Sequence, residues 1–544
     1  MSMIKTKTSQ TASNSHTRSA AVFIALLLSI APGAFAQNAA YQQLSSRAEN
    51  VVPAPKASLA AMVDAQDTAK NMASRESQRI IRMSPAEMTA ATPEQKIQML
   101  KSLMRDSSPN QNNSESTDWD QKDLEAAILR VLSSAPDAAS FDYVYYRVDH
   151  SRLENSVGWY KDVRDLVNKY RGTVVPGDWD GLNKYVGSVA NSVYSGRNLI
   201  KFLIDGKDVI PVASEELHAA QKSIHIEIFQ LQADNIGQGF ADLLSAKAKA
   251  GLKVRLMIDE HGSKADDDKA LMTMLDGMRA SGVSIIVKVP DHMKSHLDHR
   301  KVVVIDGKVG FTGGMNIGRW YQVDWHDQQT LIKGPAVGKL QEAFVERWKA
   351  AGGSFGADED LFPTIEQYPD GYETEVIGHI GSGDQNIKAM YLRAIGTAQK
   401  SISIANPYFT DEDVIDALRS AARRGVKVRL VLPQDNDMAV VQHASRASYP
   451  KLVKAGVQIY EYKGRMAHEK VAVFDGRWAT FGSSNLDERS LKNNDELNLI
   501  INDFRISQDI ELRLFEADLP NCELMNSYSP SLLDHMAHQI SGML

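Results

Sequence analysis

Beyond residue 195, short apolar runs alternate with amphipathic stretches. The runs 224–229, 254–258 and 302–305, and again 402–405, 428–432 and 471–474, read as buried strands. Between them, 239–250 and 412–424 carry helical periodicity. Strands interleaved with helices predict an α/β layer fold. Upstream, Thr92-Pro93-Glu94-Gln95 has the form of a capped helix start ahead of Ile97, Leu100, Leu103 and Met104. Leu124, Ile128, Val131 and Leu132 mark a second amphipathic helix, after a Ser/Asn-rich linker at 107–116. Residues 37–85 are rich in Ala, Ser and Gln, with little periodicity.

The pattern occurs twice. Ala220-Gln221-Lys222-Ser223-Ile224, Gly251-Leu252-Lys253-Val254-Arg255-Leu256 and Ser281-Gly282-Val283 recur as Ala398-Gln399-Lys400-Ser401-Ile402, Gly425-Val426-Lys427-Val428-Arg429-Leu430 and Ala455-Gly456-Val457. The order is the same, and small changes of offset fall where loops absorb length. Two such units predict equivalent motifs facing each other across a pseudo-twofold axis.

Each copy ends in H-x-K-x-x-x-x-D, at His299, Lys301 and Asp306 and at His468, Lys470 and Asp475. In extended chain, residues two apart share a face, so each histidine and its lysine project together. The aspartates lie an odd number of positions further on and face the other way. Although they complete the motif, this parity assigns them to holding the turn with Gly307 and Gly476. Asn316 and Asn485 each stand 17 positions after their histidine, where amide donors can steady an anionic oxygen. Asp327 and Glu496 each stand 28 positions after theirs and are candidates to orient the imidazoles, with Asp495 as a competitor for Glu496. His225, His261, His292, His296, His326 and His443 have no repeated counterpart and read as satisfied or solvent-facing. Two histidines, two lysines and two asparagines supply a nucleophile, an acid and positive charge for a phosphodiester centre. No metal or other cofactor is required by that inventory, and there is no H-E-x-x-H pair.

At 544 residues the chain can build more than one core, and its net charge of −7 weighs against a nucleic-acid partner. Cys522 is the only cysteine, which excludes an intramolecular disulfide and a cysteine metal cluster. Lys5, Lys7 and Arg18, the apolar run 20–30 and Ala34-Phe35-Ala36 have the layout of a cleaved signal peptide. That layout predicts export to the periplasm or the medium, with no transmembrane span after cleavage.

These motifs resemble those of the phospholipase D superfamily, and more narrowly its bacterial cardiolipin synthase branch. The resemblance is carried by the two H-x-K motifs, by Gly313-Gly314-Met315-Asn316, by Gly482-Ser483-Ser484-Asn485 through Ser490, by Asn494 and Glu496, and by Asn406-Pro407-Tyr408-Phe409 and Gly334-Pro335-Ala336-Val337. It implies two tandem α/β/α domains, 195–365 and 366–544; ahead of them the sequence reads as a signal peptide at 1–36 and a largely helical region of unknown role at 37–194. It further implies a monomer acting on phospholipid at a membrane surface, with an alcohol or water as acceptor. His299 would be the nucleophile and His468 the general acid and then base, with Lys301, Lys470, Asn316 and Asn485 gripping phosphate. An exported nuclease and a non-catalytic lipid-binding protein are the competing readings. The cleavable leader and the long N-terminal region depart from the usual synthase pattern.

Overall fold

The computed structural model describes residues 75–106, 121–136, 141, 144–145, 175–190, 192, 194–263, 268–288, 296–379 and 385–541. The expected signal peptide, most of the Ala/Ser/Gln-rich segment and the 107–116 linker lie outside them. Among the described residues, no helix is long and apolar enough to cross a membrane.

Among the described residues, fifteen strands form one continuous sheet. The first half contributes β1 (Ser195–Ile204), β2 (Ser223–Ile228), β3 (Lys253–Asp259), β4 (Ser284–Lys288), β5 (Val302–Ile305), β6 (Val309–Gly313) and β7 (Gln328–Lys333). The second contributes β8 (Tyr372–His379), β9 (Ser401–Ala405), β10 (Lys427–Pro433), β11 (Gln458–Tyr462), β12 (Val471–Phe474), β13 (Trp478–Gly482), β14 (Glu496–Asn502) and a short β15 (Cys522–Leu524). The order runs β15-β11-β10-β9-β12-β13-β14-β8 and then β1-β7-β6-β5-β2-β3-β4. Outward from the β8–β1 junction, both halves therefore repeat one sequence of strands. Even the registers correspond: Ile305 pairs with Ile224, and Phe474 with Ile402. The halves thus share one sheet, joined by the irregular antiparallel pairing of Ser195 with Thr374 and Asn198 with Tyr372.

β2-β3-β4 and β9-β10-β11 are parallel, as strand–helix–strand crossovers require. The crossover helix Asn235–Lys249 starts at Asp234, whose side chain accepts from the N–H groups of Ile236 and Gly237. Its counterpart Glu412–Arg423 starts at Asp411 in the same manner, accepting from Val414. One core draws on both halves, bringing Val302, Val304, Ile332 and Leu340 together with Val471, Val473, Phe481 and Leu499. Full burial of each such valine contributes about 1.5–3 kcal/mol, so this core binds the halves into one body.

Near the N-terminus, Thr92 and Gln95 form the expected capping box, with Thr92 N–H to Gln95 Oε1 at 2.8 Å and Gln95 N–H to Thr92 Oγ1 at 3.2 Å. The helices Pro93–Asp106 and Gln121–Ser133 bury Leu100, Leu103, Leu124 and Ile128 in a separate small core. Helix Trp179–Ala190 falls before the boundary drawn at 195, yet it packs with the second half. Trp179 stacks on Trp478 with centroids 6.1 Å apart, and Asn183 Oδ1 accepts from Trp478 Nε1 at 3.0 Å. The apolar face of 179–190 thus joins a core shared with Ile377, Ile395 and Phe474, some 200 to 300 positions further along the chain.

Candidate active site

The two H-x-K segments run immediately ahead of β5 and β12. They are extended and flank the junction between the halves. His299 N–H donates to Asp495 O at 3.0 Å, and His468 N–H to His326 O at 2.7 Å. Each motif thus leans on the loop of the opposite half that carries an orienting carboxylate.

The side chains cross in the same way. His299 Nδ1 lies 2.9 Å from Glu496 Oε1, and His468 Nδ1 lies 2.7 Å from Asp327 Oδ2. The shared offset of 28 positions identifies the two carboxylates, but each serves the histidine of the other half. Asp495 points elsewhere, to His296 Nε2 at 2.8 Å and to Arg347. With Nδ1 engaged by a carboxylate, each ring presents Nε2 as its reactive nitrogen.

All four imidazole and ammonium groups are buried. Burial pushes His299 down to about 4 despite the opposing charge of Glu496, and it lowers His468 further with the help of Lys470 and Lys301. Both imidazoles are therefore neutral near pH 7. Burial also pushes Lys301 down to about 7 and Lys470 to about 8, opposed by the carboxylates beside them. A phosphate anion placed between these ammonium groups would restore their charge.

Asp306 and Asp475 complete the motif in sequence but lie outside this cluster, at the turns that follow β5 and β12. Both have φ of +53°, ahead of Gly307 and Gly476, which also have positive φ. Asp306 accepts the N–H groups of Gln221, Lys222 and Ser223 at 2.7–2.8 Å. Asp475 accepts those of Gln399, Lys400 and Ser401 at 2.7–3.1 Å. They tie the hairpin turn to the start of β2 or β9. Asn316 Oδ1 accepts from Gln230 N–H at 3.1 Å, and Asn485 N–H donates to Ser490 Oγ at 2.9 Å. Both asparagines are buried.

This geometry has relatives. Residues 214–348 and 391–518 match the family described as cardiolipin synthase, PLD-like domain. The chain is 31% identical over 340 residues to the probable cardiolipin synthase YwiE of Bacillus subtilis, covering 60% of this chain and 67% of that one. It is 35% identical over 394 residues to the cardiolipin synthase of Alkalihalophilus pseudofirmus, covering 68% and 78%. Other cardiolipin synthases are matched over as little as 62% of their own length. The chain belongs to the phospholipase D superfamily, in its cardiolipin synthase-like branch. The crystal structure of phosphatidylserine synthase from Haemophilus influenzae shares the fold, with a TM-score of 0.51 at 14% identity over 66% of this chain and 98% of that one.

Within this phospholipase D frame the two carboxylates are unlike. Glu496 accepts from the hydroxyls of Ser483, at 2.5 Å, and of Ser490. Burial alone would raise it, but His299, Lys301 and Ser483 outweigh burial and hold it below its ordinary value. Asp327 receives one backbone N–H, from Gln328 at 2.8 Å, and burial pushes it up to about 7.

Several site neighbours carry no signal in the repeat. Phe229 sets its ring edge-on to His299, with centroids 4.9 Å apart, while Tyr321 and Trp325 bracket His468 at 5.4 and 4.9 Å. Tyr408 donates to Asp437 at 2.8 Å, and the charge of Lys470 acts on Asp437. Of the histidines read as bland, His225 is a core residue stacked on Phe344. His326 is different. Burial opposes its charged form, yet Glu469, Asp205 and Asp518 push it up to about 12. His292 lies outside the described residues.

Proposed function

We propose that this chain is a cardiolipin synthase-like phosphatidyltransferase that works through a phosphohistidine. The observation that carries the reading is the crossed pair of buried, neutral imidazoles, each held at Nδ1 by a carboxylate from the opposite half. His299 is the better nucleophile, because Glu496 stays ionised and fixes its Nδ1–H tautomer. Its Nε2 lone pair attacks phosphorus, and the bond from phosphorus to the headgroup oxygen breaks. The departing oxygen takes the Nε2 proton of His468, while Asp327, raised to about 7, returns a proton to Nδ1. An acceptor hydroxyl then gives its proton to His468 and attacks phosphorus, releasing His299. Lys301 and Lys470 balance the charge on the non-bridging oxygens throughout.

Exposed apolar side chains beside the site favour a lipid over a nucleic acid. Trp320 and Val323, between Asn316 and Asp327, are 41% and 46% exposed, and Met438, next to Asp437, is 45% exposed. Such groups suit an acyl boundary. The signal-like N-terminus supports action outside the cytoplasm, where water or an alcohol can serve as acceptor.

The test is to incubate the purified chain with phosphatidylglycerol vesicles and resolve the products by mass spectrometry. Cardiolipin and glycerol in equal amounts are expected. Phosphatidic acid alone would reassign the enzyme as a hydrolase, and inert lipid with cleavage of plasmid DNA would overturn the proposal in favour of a nuclease.

A further inference from the structure

Behind the His468–Asp327 pair lies a second buried cluster that the proposed transfer reaction does not use. His326 Nε2 stands 3.0 Å from Glu469 Oε1 and 3.2 Å from Asp518. The three ligand-type atoms lie within 4.8 Å of one another. His326, Glu469 and Asp518 are 4%, 0% and 5% exposed. On the far side of the ring, His326 Nδ1 is 2.7 Å from Asp205 Oδ1, and Arg465 bonds Asp205 Oδ2 at 2.9 Å.

Three observations converge on a cation. First, Glu469 is fully buried, and its Oε1 faces His326 Nε2 at 3.0 Å, a nitrogen it shares with the buried carboxylate of Asp518 at 3.2 Å. One nitrogen position thus serves two buried carboxylates. A buried carboxylate left in that state is costly. Second, Asp205 on Nδ1 is the carboxylate–histidine arrangement that fixes the tautomer and leaves Nε2 free to bind a metal. Third, the pseudo-twofold supplies an internal control. At the position equivalent to Glu469 the first half has Arg300, whose guanidinium bonds Glu227 at 2.7 Å, and Arg347 pairs there with Asp298 and Asp495. The second half has a carboxylate where the first has a guanidinium. A divalent ion on Nε2, in place of the proton, would balance Glu469, Asp518 and Asp205 against Arg465.

We propose that His326 Nε2, Glu469 and Asp518 bind one divalent transition-metal ion of the Zn²⁺ class, to which one imidazole and two carboxylates are suited. The ion replaces the proton that otherwise rests on His326. It joins the halves, because His326 and Asp518 flank the segment on which Glu469 sits between His468 and Lys470. His326 N–H also donates to Met466 O at 2.8 Å, so the ion clamps the two strands of chain that present His468 and Asp327. Its role is to position that pair, and it stays away from the reacting atoms.

The site is tested without reference to lipid turnover. Untagged full-length protein is freed of metal with EDTA and titrated with Zn²⁺ by calorimetry, and its melting temperature is followed in parallel. One equivalent bound, with a raised melting temperature, is expected. Glu469→Gln should lose the tight equivalent, and Asp205→Asn, which removes no ligand, should weaken it about 10–100-fold. Should Glu469→Gln fail to fold, Asp205→Asn carries the test alone. Absence of a tight equivalent in the parent protein, or unchanged affinity in the folded variants, would overturn the proposal. Because binding is the readout, failure of the phosphatidyltransferase reading leaves this test intact.

Discussion

The two halves share strand order, register and turn chemistry, yet they treat their imidazoles differently. His299 faces Glu496, an anion supported by two serine hydroxyls, and an edge-on Phe229. His468 faces Asp327, which has a single backbone donor, and lies between Tyr321 and Trp325. Duplication therefore supplied the frame and later divergence the roles. A carboxylate kept ionised favours a fixed tautomer and attack, whereas one whose affinity for protons is raised toward neutrality favours proton exchange.

The sharpest way to break this comparison is to remove one ring at a time. A phosphatidyl ester with a phenolic leaving group needs little acid assistance, so His468→Asn should still form an adduct on His299 but resolve it poorly. Turnover is expected to fall by about 10²–10⁴, with the adduct accumulating. His299→Asn should yield no adduct. Peptide mapping that finds phosphorylation on His468 alone would exchange the roles of the two halves.

A smaller effect separates the halves at one backbone position. Gly314 and Ser483 are equivalent in the repeat. A Cβ on Gly314 would lie 2.4 Å from Asp327 Oδ1, whereas Ser483 turns its side chain to Glu496 as a donor. Gly314→Ala should displace Asp327 and lower kcat/KM about 100-fold, the cost of a misplaced catalytic group. Ser483→Gly loses one hydrogen bond to a charged group, about 1.5 kcal/mol or roughly tenfold. Equal losses in the two variants would show that the carboxylates are not differently held.

Much of this site was legible because it is written twice. Matching offsets singled out Asn316, Asn485, Asp327 and Glu496, and strand parity separated Asp306 and Asp475 from the histidines. The crossing of the carboxylates was not legible, since an offset within one copy says nothing of which half a side chain faces. His326 escaped for a related reason. Its neighbours Asp205, Glu469 and Asp518 are scattered over more than 300 residues, and neither His326 nor Glu469 has a like residue at its repeated position. Helix Trp179–Ala190 lies within the region drawn at 37–194, and its contact with Trp478, about 300 residues further on, left no local trace. Local periodicity identifies an element, but only tertiary contacts decide which domain owns it.

The last difference between the halves is thermodynamic. Asp327 has its folded pKa raised from 3.8 to about 7, so between those values the folded chain holds a proton that the unfolded chain has released. Stability from this group therefore falls as pH rises through that window. Glu496 has its folded value lowered, so its contribution is present above its unfolded value of about 4.5 and is lost as pH falls through the folded one. Asp327→Asn should then stabilise the protein at pH 8 by on the order of 2 kcal/mol and change little at pH 4, where the parent carboxyl is already neutral when folded. Glu496→Gln should destabilise it at pH 8, because a paired and hydrogen-bonded anion is removed from beside His299. Denaturant melts of both variants at the two pH values measure this directly. If the variants shifted in the same direction at pH 8, the two carboxylates would be equivalent, and the division of labour between the histidines would have to come from the aromatic rings around them.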